Sequence, residues 1–430
     1  MAKAFKAKWI LTSSNGDYET VYENCALVVE NGKISDILPQ EEIYDEIYES
    51  VEDFGNAVIT PGFVDLDANL QYKEPTNYKK FWIKLRQFFS MLGTPYDNYA
   101  MKLADMQAEI MSLDKNLLAK IFKDNLKNEL ISGTTCLLQT VKADKTGKMF
   151  FEILNKLPIK TFLMLEIQAD SVKNSNKALH KIKNAYKFFK NKHTDSTYFG
   201  LNPKSVWQVH KKLWRFLSKF AKRNELPICC ELLESQEELN LLNGEFSYLE
   251  YYNRFLGNKK IPYEIGKNPI EFLCDLKILN KNLIIKNGNF LSNEDMKVLS
   301  ENEVKMVFSP TFNKNNFNKT LSNDIILRYF KNNFGIITNA EKTTVLAELL
   351  SMNLPLPIED KIKYITLYPA KILGIDNLIG SLDFNKHADF NVFKLEKKQK
   401  SLSDIKSDFK PNFVYILGQK VVQNGEIVTE

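Results

Sequence analysis

Histidine is scarce in this chain. Four occur among 430 residues, His180, His193, His210 and His387, the first three in Lys-rich helical or loop surroundings and the last in a turn. This argues against a centre built mainly of imidazoles, since a catalytic zinc needs three protein ligands, most of them His. Cysteine is scarce too: Cys25, Cys136, Cys229, Cys230 and Cys274 show no CxxC spacing. That excludes a disulfide scaffold and fits a reducing compartment with buried thiols. The adjacent pair Cys229 and Cys230 lies in the strand-like run LPICCELLE, where one thiol faces each side. No stretch reaches about 18 consecutive apolar residues, and the apolar run in MAKAFKAKWIL is too short for a secretory signal. The expectation is a soluble, cytoplasmic protein. Charge of one sign is not dominant: 58 basic against 53 acidic residues leave +5, read as interleaved without a dense block. Binding to nucleic acid or membrane is therefore not expected. No internal repeat or low-complexity segment is present.

What is present centres on Ile59 to Tyr72, ITPGFVDLDANLQY. Val58 and Ile59 begin an extended run, Pro61 and Gly62 interrupt it, and Phe63, Val64 and Leu66 carry it to Asp67 and Asn69. Side chains alternate along a strand, so residues 67 and 69 share a face. Before it come short β elements near Ala7 to Thr12, Ala26 to Glu30 and Lys33 to Leu38, with Asn31-Gly32 as a hairpin turn. The far end matches them, with Asp389 to Phe393, Phe413 to Leu417, Lys420 to Val422 and Glu426 to Val428. Eight strand candidates alternate with helices between: Val58 to Leu66, Thr134 to Gln139, Lys160 to Glu166, Thr197 to Leu201, Pro227 to Leu232, Asn282 to Lys286, Lys305 to Phe308 and Gly335 to Thr338. The helices include Asn116 to Ser132, Ser205 to Asn224, Ser292 to Asn302, Thr344 to Met352 and Glu359 to Tyr368. This pattern predicts an α/β chain: a (β/α)8 TIM-type barrel with a small β-sandwich built from both termini. The expected boundaries are 1–60 and 373–430 for the sandwich and 61–372 for the barrel. Two insertions, Tyr78 to Leu92 and Leu239 to Leu256, are aromatic and amphipathic. They read as helix faces packed on the barrel or as lids over its mouth.

The stretch PGFVDLDANL resembles the first barrel strand of the amidohydrolase superfamily, which normally reads PGFVDxHxHL with both histidines on a catalytic metal. Further resemblances are SGTT at Ser132 to Thr135, LLESQEEL at Leu232 to Leu239, and LIGSLDFNKHADFNVF at Leu378 to Phe393. Within the superfamily the chain looks most like the chlorohydrolase and aminodeoxyfutalosine deaminase group, whose active members deaminate purine-like bases using one divalent metal. The resemblance implies that Asp67 and Asn69 stand where two ligand histidines would be. Glu231 replaces the third, and Asn339 stands at the Asp that binds metal and activates water. It also places Glu234 at the proton-shuttle position, Lys286 at a substrate-polarising His, and Leu201 in GLNPKSV at a substrate-contacting His. Leu201, Tyr72 and Trp82 are expected to line the pocket. Family habit implies a homodimer.

An all-oxygen set holds zinc poorly, and the amide of Asn339 cannot accept a proton from water as a carboxylate can. The Lys286 ammonium, near Asp67, Glu231 and Glu234, is expected to offset the charge that a cation once neutralised. Glu234 has a plainer reading as part of the acidic start of a helix. The leading expectation is therefore a non-hydrolytic family member with no cofactor, binding an unidentified small molecule or protein. The alternative is an active C–N hydrolase of the purine-nucleoside deaminase type. It would use one divalent cation on Asp67, Asn69 and Glu231, with Glu234 as base; oxygen shells suit magnesium, manganese or calcium. A third reading is a structural subunit of a larger assembly.

Overall fold

Two sheets share one short linker. The computed structural model describes residues 2–16, 19–72, 99–192, 194–339, 343–396 and 405–428. The N-terminal stretch gives β1 (Lys3–Leu11), β2 (Val21–Glu30), β3 (Lys33–Pro39), β4 (Ser50–Asp53) and β5 (Ala57–Pro61). The next eight strands are β6 (Phe63–Asp65), β7 (Thr134–Lys142), β8 (Lys160–Glu166), β9 (Thr197–Asn202), β10 (Ile228–Leu232), β11 (Leu283–Asn287), β12 (Lys305–Phe308) and β13 (Phe334–Ile336). All pair in parallel and in sequence order, the nearly closed barrel that the alternating pattern predicts. At the seam, Asn339 N donates to Asp67 O at 3.2 Å, and Thr338 Oγ1 donates to Asp65 Oδ2 at 2.5 Å. The chain ends in β14 (Phe390–Lys394), β15 (Phe413–Ile416), β16 (Gln419–Gln423) and β17 (Glu426–Ile427).

These last strands join the first five in one nine-stranded mixed sheet, ordered β17-β16-β15-β14-β5-β1-β2-β3 with β4 on β1. The expected sandwich is thus one continuous sheet. It encloses its own core of Phe5, Leu27, Ile37, Phe390, Phe413 and Tyr415. Its ends approach each other where Gly32 meets Leu417: a Cβ there would lie 3.1 Å from the Leu417 carbonyl.

The predicted strand Val58 to Leu66 is two strands. β5 belongs to the mixed sheet and β6 to the barrel, and Gly62 is the bend between them. A Cβ at Gly62 would sit 2.1 Å from Thr135 Oγ1, while its N–H donates to Asp389 O at 2.8 Å. Only glycine lets the backbone pass there. A second tie is the Lys160–Asp389 ion pair, 2.6 Å long with both side chains 2% exposed, joining the start of β8 to the mixed sheet.

Helices cover the barrel: α1 (Tyr99–Ser112), α2 (Lys115–Ile131), α3 (Lys145–Leu154), α4 (Val172–Lys190), α5 (Lys211–Asn224), α6 (Gln236–Asn243), α7 (Leu249–Phe255), α8 (Asn293–Glu301) and α9 (Pro310–Phe317), among others. Caps set their starts. Asp114 accepts from Asn116 N and Leu117 N before α2, and Ser292 with Asp295 forms a full capping box on α8. The helix expected over Ser205 to Asn224 is interrupted. A 3-10 turn at Val206–Gln208 comes first, Ser205 bridges to Glu231, and His210 then caps α5 by accepting Lys212 N on Nδ1 at 3.1 Å. The stretch Glu359 to Tyr368 likewise breaks at Thr366 before a last helix, Leu367–Leu373, that carries Pro369 in its first turn. Val64, Cys136, Met164, Cys229, Ile284 and Val307 fill the barrel interior. Cys230 faces the helices, so the adjacent thiols do part to opposite sides.

Candidate active site

At the C-terminal end of the barrel, strand ends bring acids, amides and two lysines together, the usual place for chemistry in this architecture. Asp67 follows β6 and is 1% exposed; Lys286, on β11, is 4% exposed and puts Nζ 2.9 Å from Asp67 Oδ2. Asp67 Oδ1 is buried with no hydrogen-bond donor. Burial works against the Lys286 charge, but Asp67 above all, with Glu231 contributing, overcomes it and holds the ammonium above the ordinary lysine range. Asp65 anchors this strand end by accepting Asp67 N at 2.9 Å.

Asn69 and Asn339 meet across the barrel seam, with Asn69 Nδ2 donating to Asn339 Oδ1 at 3.3 Å. Both residues have positive φ, 47° and 51°, a conformation that Asn tolerates better than most residues. Glu231, half-buried at the end of β10, donates its N–H to Lys204 O at 2.6 Å. Burial raises its carboxyl and the ammonium groups of Lys204 and Lys286 oppose the rise.

Glu234 is 5% exposed and accepts from Asn287 Nδ2 at 2.9 Å and from the Tyr99 hydroxyl. Burial, then Glu231 and Glu238, push it up to about 8. It is therefore mostly protonated at neutral pH. Glu238 sits behind it, pushed up to about 7 by burial, with Oε2 accepting Glu234 N at 3.0 Å. The reading of Glu234 as helix-start acid fits Glu237 and Glu238 better, because Ser235 is the cap of α6 and Glu234 precedes it.

Sequence reasoning missed several members. Lys204 lies just past the end of β9. Burial works against its charge, yet Glu231, Tyr252, Tyr72 and Glu166 together hold it well above the ordinary range. Glu166 closes β8, and Asn202 closes β9, with Nδ2 donating to Thr140 Oγ1 at 2.9 Å and Oδ1 unpartnered. For Glu166 and Asn202 a strand's last residue was the available signal. Tyr72 is half-buried among this group, its hydroxyl raised chiefly by burial.

Leu201 does not line the pocket. It is fully buried in the layer between barrel and helices, because β9 turns Tyr198, Gly200 and Asn202 inward and Leu201 outward. Trp82 and the insertion Tyr78 to Leu92 lie outside the described residues, as does His193. His180 is exposed on α4, His210 caps a helix and donates its backbone N–H to Ala169 O, and His387 is at the mixed-sheet end. Among the described residues there is no group of three or more His, Cys, Asp or Glu able to hold a metal ion. A cavity of about 290 Å³ opens beside the cluster, lined by Gln71, Tyr72, Thr140, Met149, Phe150 and Glu166. A second, of about 370 Å³, adjoins it across Lys142 and Glu166.

Residues 58–427 match the model of the amidohydrolase family. A 5-methylthioadenosine/S-adenosylhomocysteine deaminase of Clostridium tetani is 24% identical over 326 residues, covering 69% of this chain and 68% of the relative. Among solved structures, aminofutalosine deaminase of Helicobacter pylori in complex with methylthio-coformycin superposes with a TM-score of 0.76 at 18% identity, covering 98% of this chain and 100% of that one. An adenosine deaminase from Xanthomonas campestris with bound zinc gives 0.74 at 14% identity, covering 100% and 94%.

The expectation that no cofactor belongs here is corrected by neighbours of the same fold that hold zinc, that adenosine deaminase and an atrazine chlorohydrolase of Arthrobacter aurescens. The residues present do not fit zinc itself. Asp67, Asn69, Glu231 and Asn339 offer oxygen only, which suits harder cations. The orphaned Asp67 Oδ1 is an open donor for one, while the Lys286 ammonium competes for the same carboxylate.

Proposed function

The chain belongs to the amidohydrolase family, and from that premise we propose that it takes a purine-nucleoside-type compound at the barrel mouth and hydrolyses a non-peptide C–N bond in it. The deaminase names of its relatives support this reading. The observation that carries it is Glu234: a carboxyl pushed to about 8 beside the central acids and oriented by Asn287 and Tyr99. A leaving amine needs a proton, and a buried acid with its pKa near neutrality is matched to deliver one. Glu231, kept ionisable by Lys204 and Lys286, is the base on this reading, and the flanking cavities hold the nucleoside. A cytoplasmic setting fits the five free cysteines.

The test is ammonia release from 5-methylthioadenosine, S-adenosylhomocysteine, 5'-deoxyadenosine and aminofutalosine, with manganese, magnesium or zinc added in turn. Turnover that disappears in Glu234→Gln supports the proposal. Absence of ammonia with every substrate and cation sinks it.

A second reading, non-hydrolytic binding of a ligand or protein, is favoured by the 2.9 Å Lys286–Asp67 pair and by the amide at Asn339. On that reading the same nucleosides raise the melting temperature without releasing ammonia.

A further inference from the structure

The net charge of +5 conceals how the charge is distributed. α4 carries Lys173, Lys177, Lys181, Lys183, Lys187 and Lys190 with no Asp or Glu. α5 carries Lys211, Lys212, Arg215, Lys219, Lys222 and Arg223, again with no acid. All twelve are exposed, and the two helices pack side by side on the barrel wall. Outside them the chain holds 46 basic and 53 acidic residues, so the rest of the molecule is net negative. The acids nearest in sequence, Asp170, Asp195 and Glu225, lie beyond the helix ends, and Asp170 is already bonded to Asn174 Nδ2 and Lys259 N.

A merely solvated helix face alternates Glu with Lys four residues apart, because that spacing is stabilising and like charges there are not. Here Lys173, Lys177 and Lys181 repeat at that spacing, as do Lys183 with Lys187 and Lys211 with Arg215. The repulsion is left for something outside the chain to relieve. α4 alone is about 28 Å long at 1.5 Å per residue.

Aromatic rings sit between the lysine rows. Lys183 lies 5.3 Å from the Phe216 ring, bridging the two helices, and Tyr186 meets Phe220 edge-on at 5.4 Å. At one end, Lys148 of α3 and Lys192 cover Phe188 at 4.3 and 5.0 Å. Lysines interleaved with half-buried rings are the surface that tracks a single-stranded nucleic acid, with ammonium groups on phosphates and rings near bases. An anionic bilayer fits less well. Membrane-seated helices push large apolar side chains outward, and Val172 is the only such exposed side chain on these two.

We propose that the α4–α5 face binds single-stranded nucleic acid through its phosphate backbone, chiefly on the part beyond Lys177 and Lys181, which line the cavity beside the barrel mouth. The test is anisotropy of a fluorescein-labelled single-stranded RNA of mixed sequence, titrated with the full chain at low and at physiological potassium chloride. With five or six phosphates engaged, binding weakens about 100-fold between the two salts, because each contact contributes about 0.7 to the slope. A variant exchanging Lys183, Lys187, Lys190, Arg215, Lys219 and Lys222 for Gln loses at least about 30-fold at low salt. A control exchanging Lys123, Lys127, Lys277, Lys281, Lys297 and Lys314 stays within about two-fold. Hydrogen exchange of the unaltered protein, with and without the RNA, gives a second readout that needs no variant: the amides of α4 and α5 become slower. No binding at low salt overturns the proposal, as does equal loss in the control, unchanged exchange on α4 and α5, or binding to phosphatidylglycerol vesicles without binding to RNA.

Discussion

Replacing Lys286 by Met removes an ammonium from a pair in which neither side chain is more than 4% exposed and the atoms are 2.9 Å apart. The aliphatic stem is kept, so packing changes little and the loss is electrostatic. Asp67 then remains buried with Oδ1 already lacking a donor, and Glu231 loses one of the two ammonium groups that favour its ionised form. Breaking one side of a buried pair costs about 3 to 5 kcal/mol. With about 0.9 kcal/mol/K of unfolding entropy for a chain this long, Tm falls about 3 to 6 °C. Adding Asp67→Asn to the Met variant removes the orphaned charge and recovers most of the loss. Manganese or magnesium raises the Tm of the Met variant by binding the freed carboxylate. It does nothing to the double variant. Circular-dichroism melts of the three proteins at pH 7 read all of this. A Met variant as stable as the parent, or a cation response equal in single and double variants, refutes the claim that Lys286 and a cation compete for Asp67.

Four buried carboxyls sit above their ordinary range: Asp65 at about 6, Glu238 at about 7, and Glu129 and Glu234 at about 8. Folded pKa values raised in this way give stability that is present in full below about pH 4 and is lost as the pH climbs toward 8. Melts should thus be higher at pH 5.5 than at pH 8.5 by several degrees; a maximum at pH 8 or above contradicts the assignments. Gly62→Ala forces a Cβ to within 2.1 Å of Thr135 Oγ1 where the two sheets part, and should cost about 1 to 3 kcal/mol in urea unfolding. Recovery on pairing it with Thr135→Ala is expected, and a neutral single variant would contradict the close approach. Lys160→Met strands Asp389 at the junction of barrel and mixed sheet and should cost about 3 to 5 kcal/mol, with no dependence on added cation, unlike Lys286→Met.

The barrel was legible because its signal is repeated eight times and each repeat is local: a short apolar run, a turn, an amphipathic helix. What stayed hidden depends on pairing at a distance. Nothing in ITPGFVD says that Pro61 and Phe63 belong to different sheets, since that is decided by Thr135 and Asp389, more than 70 residues away in the sequence. Two asymmetries of one residue each misled the site reading. Leu201 was matched to a pocket position, but alternation along β9 sends Asn202 inward instead. Lys204 was visible in GLNPKSV, yet its weight comes from Glu231, Tyr72, Tyr252 and Glu166, each from a different strand end, loop or helix. The basic, acid-free helices were fully legible, and averaging charge over the whole chain hid them.

The residues that hold the fold and those gathered at the barrel mouth are nearly separate sets. Gly62, the Lys160–Asp389 pair, and Asp65 with Thr338 secure the joint between sheets and the barrel seam from below the mouth. None of them needs a cation above it. The mouth residues come from strand ends where one side chain can change without disturbing the ladder beneath. Asp65 links the two sets, since it holds Thr338 on one side and the backbone of Asp67 on the other. Changes among the mouth side chains are therefore tolerable so long as buried charge stays balanced, and Lys286 and Lys204 maintain that balance against Asp67, Glu231 and Glu166. It follows that exchanging residues at positions 69, 231 and 339 should change ligand and cation preference much more than stability. Exchanging Asp65 should change both together.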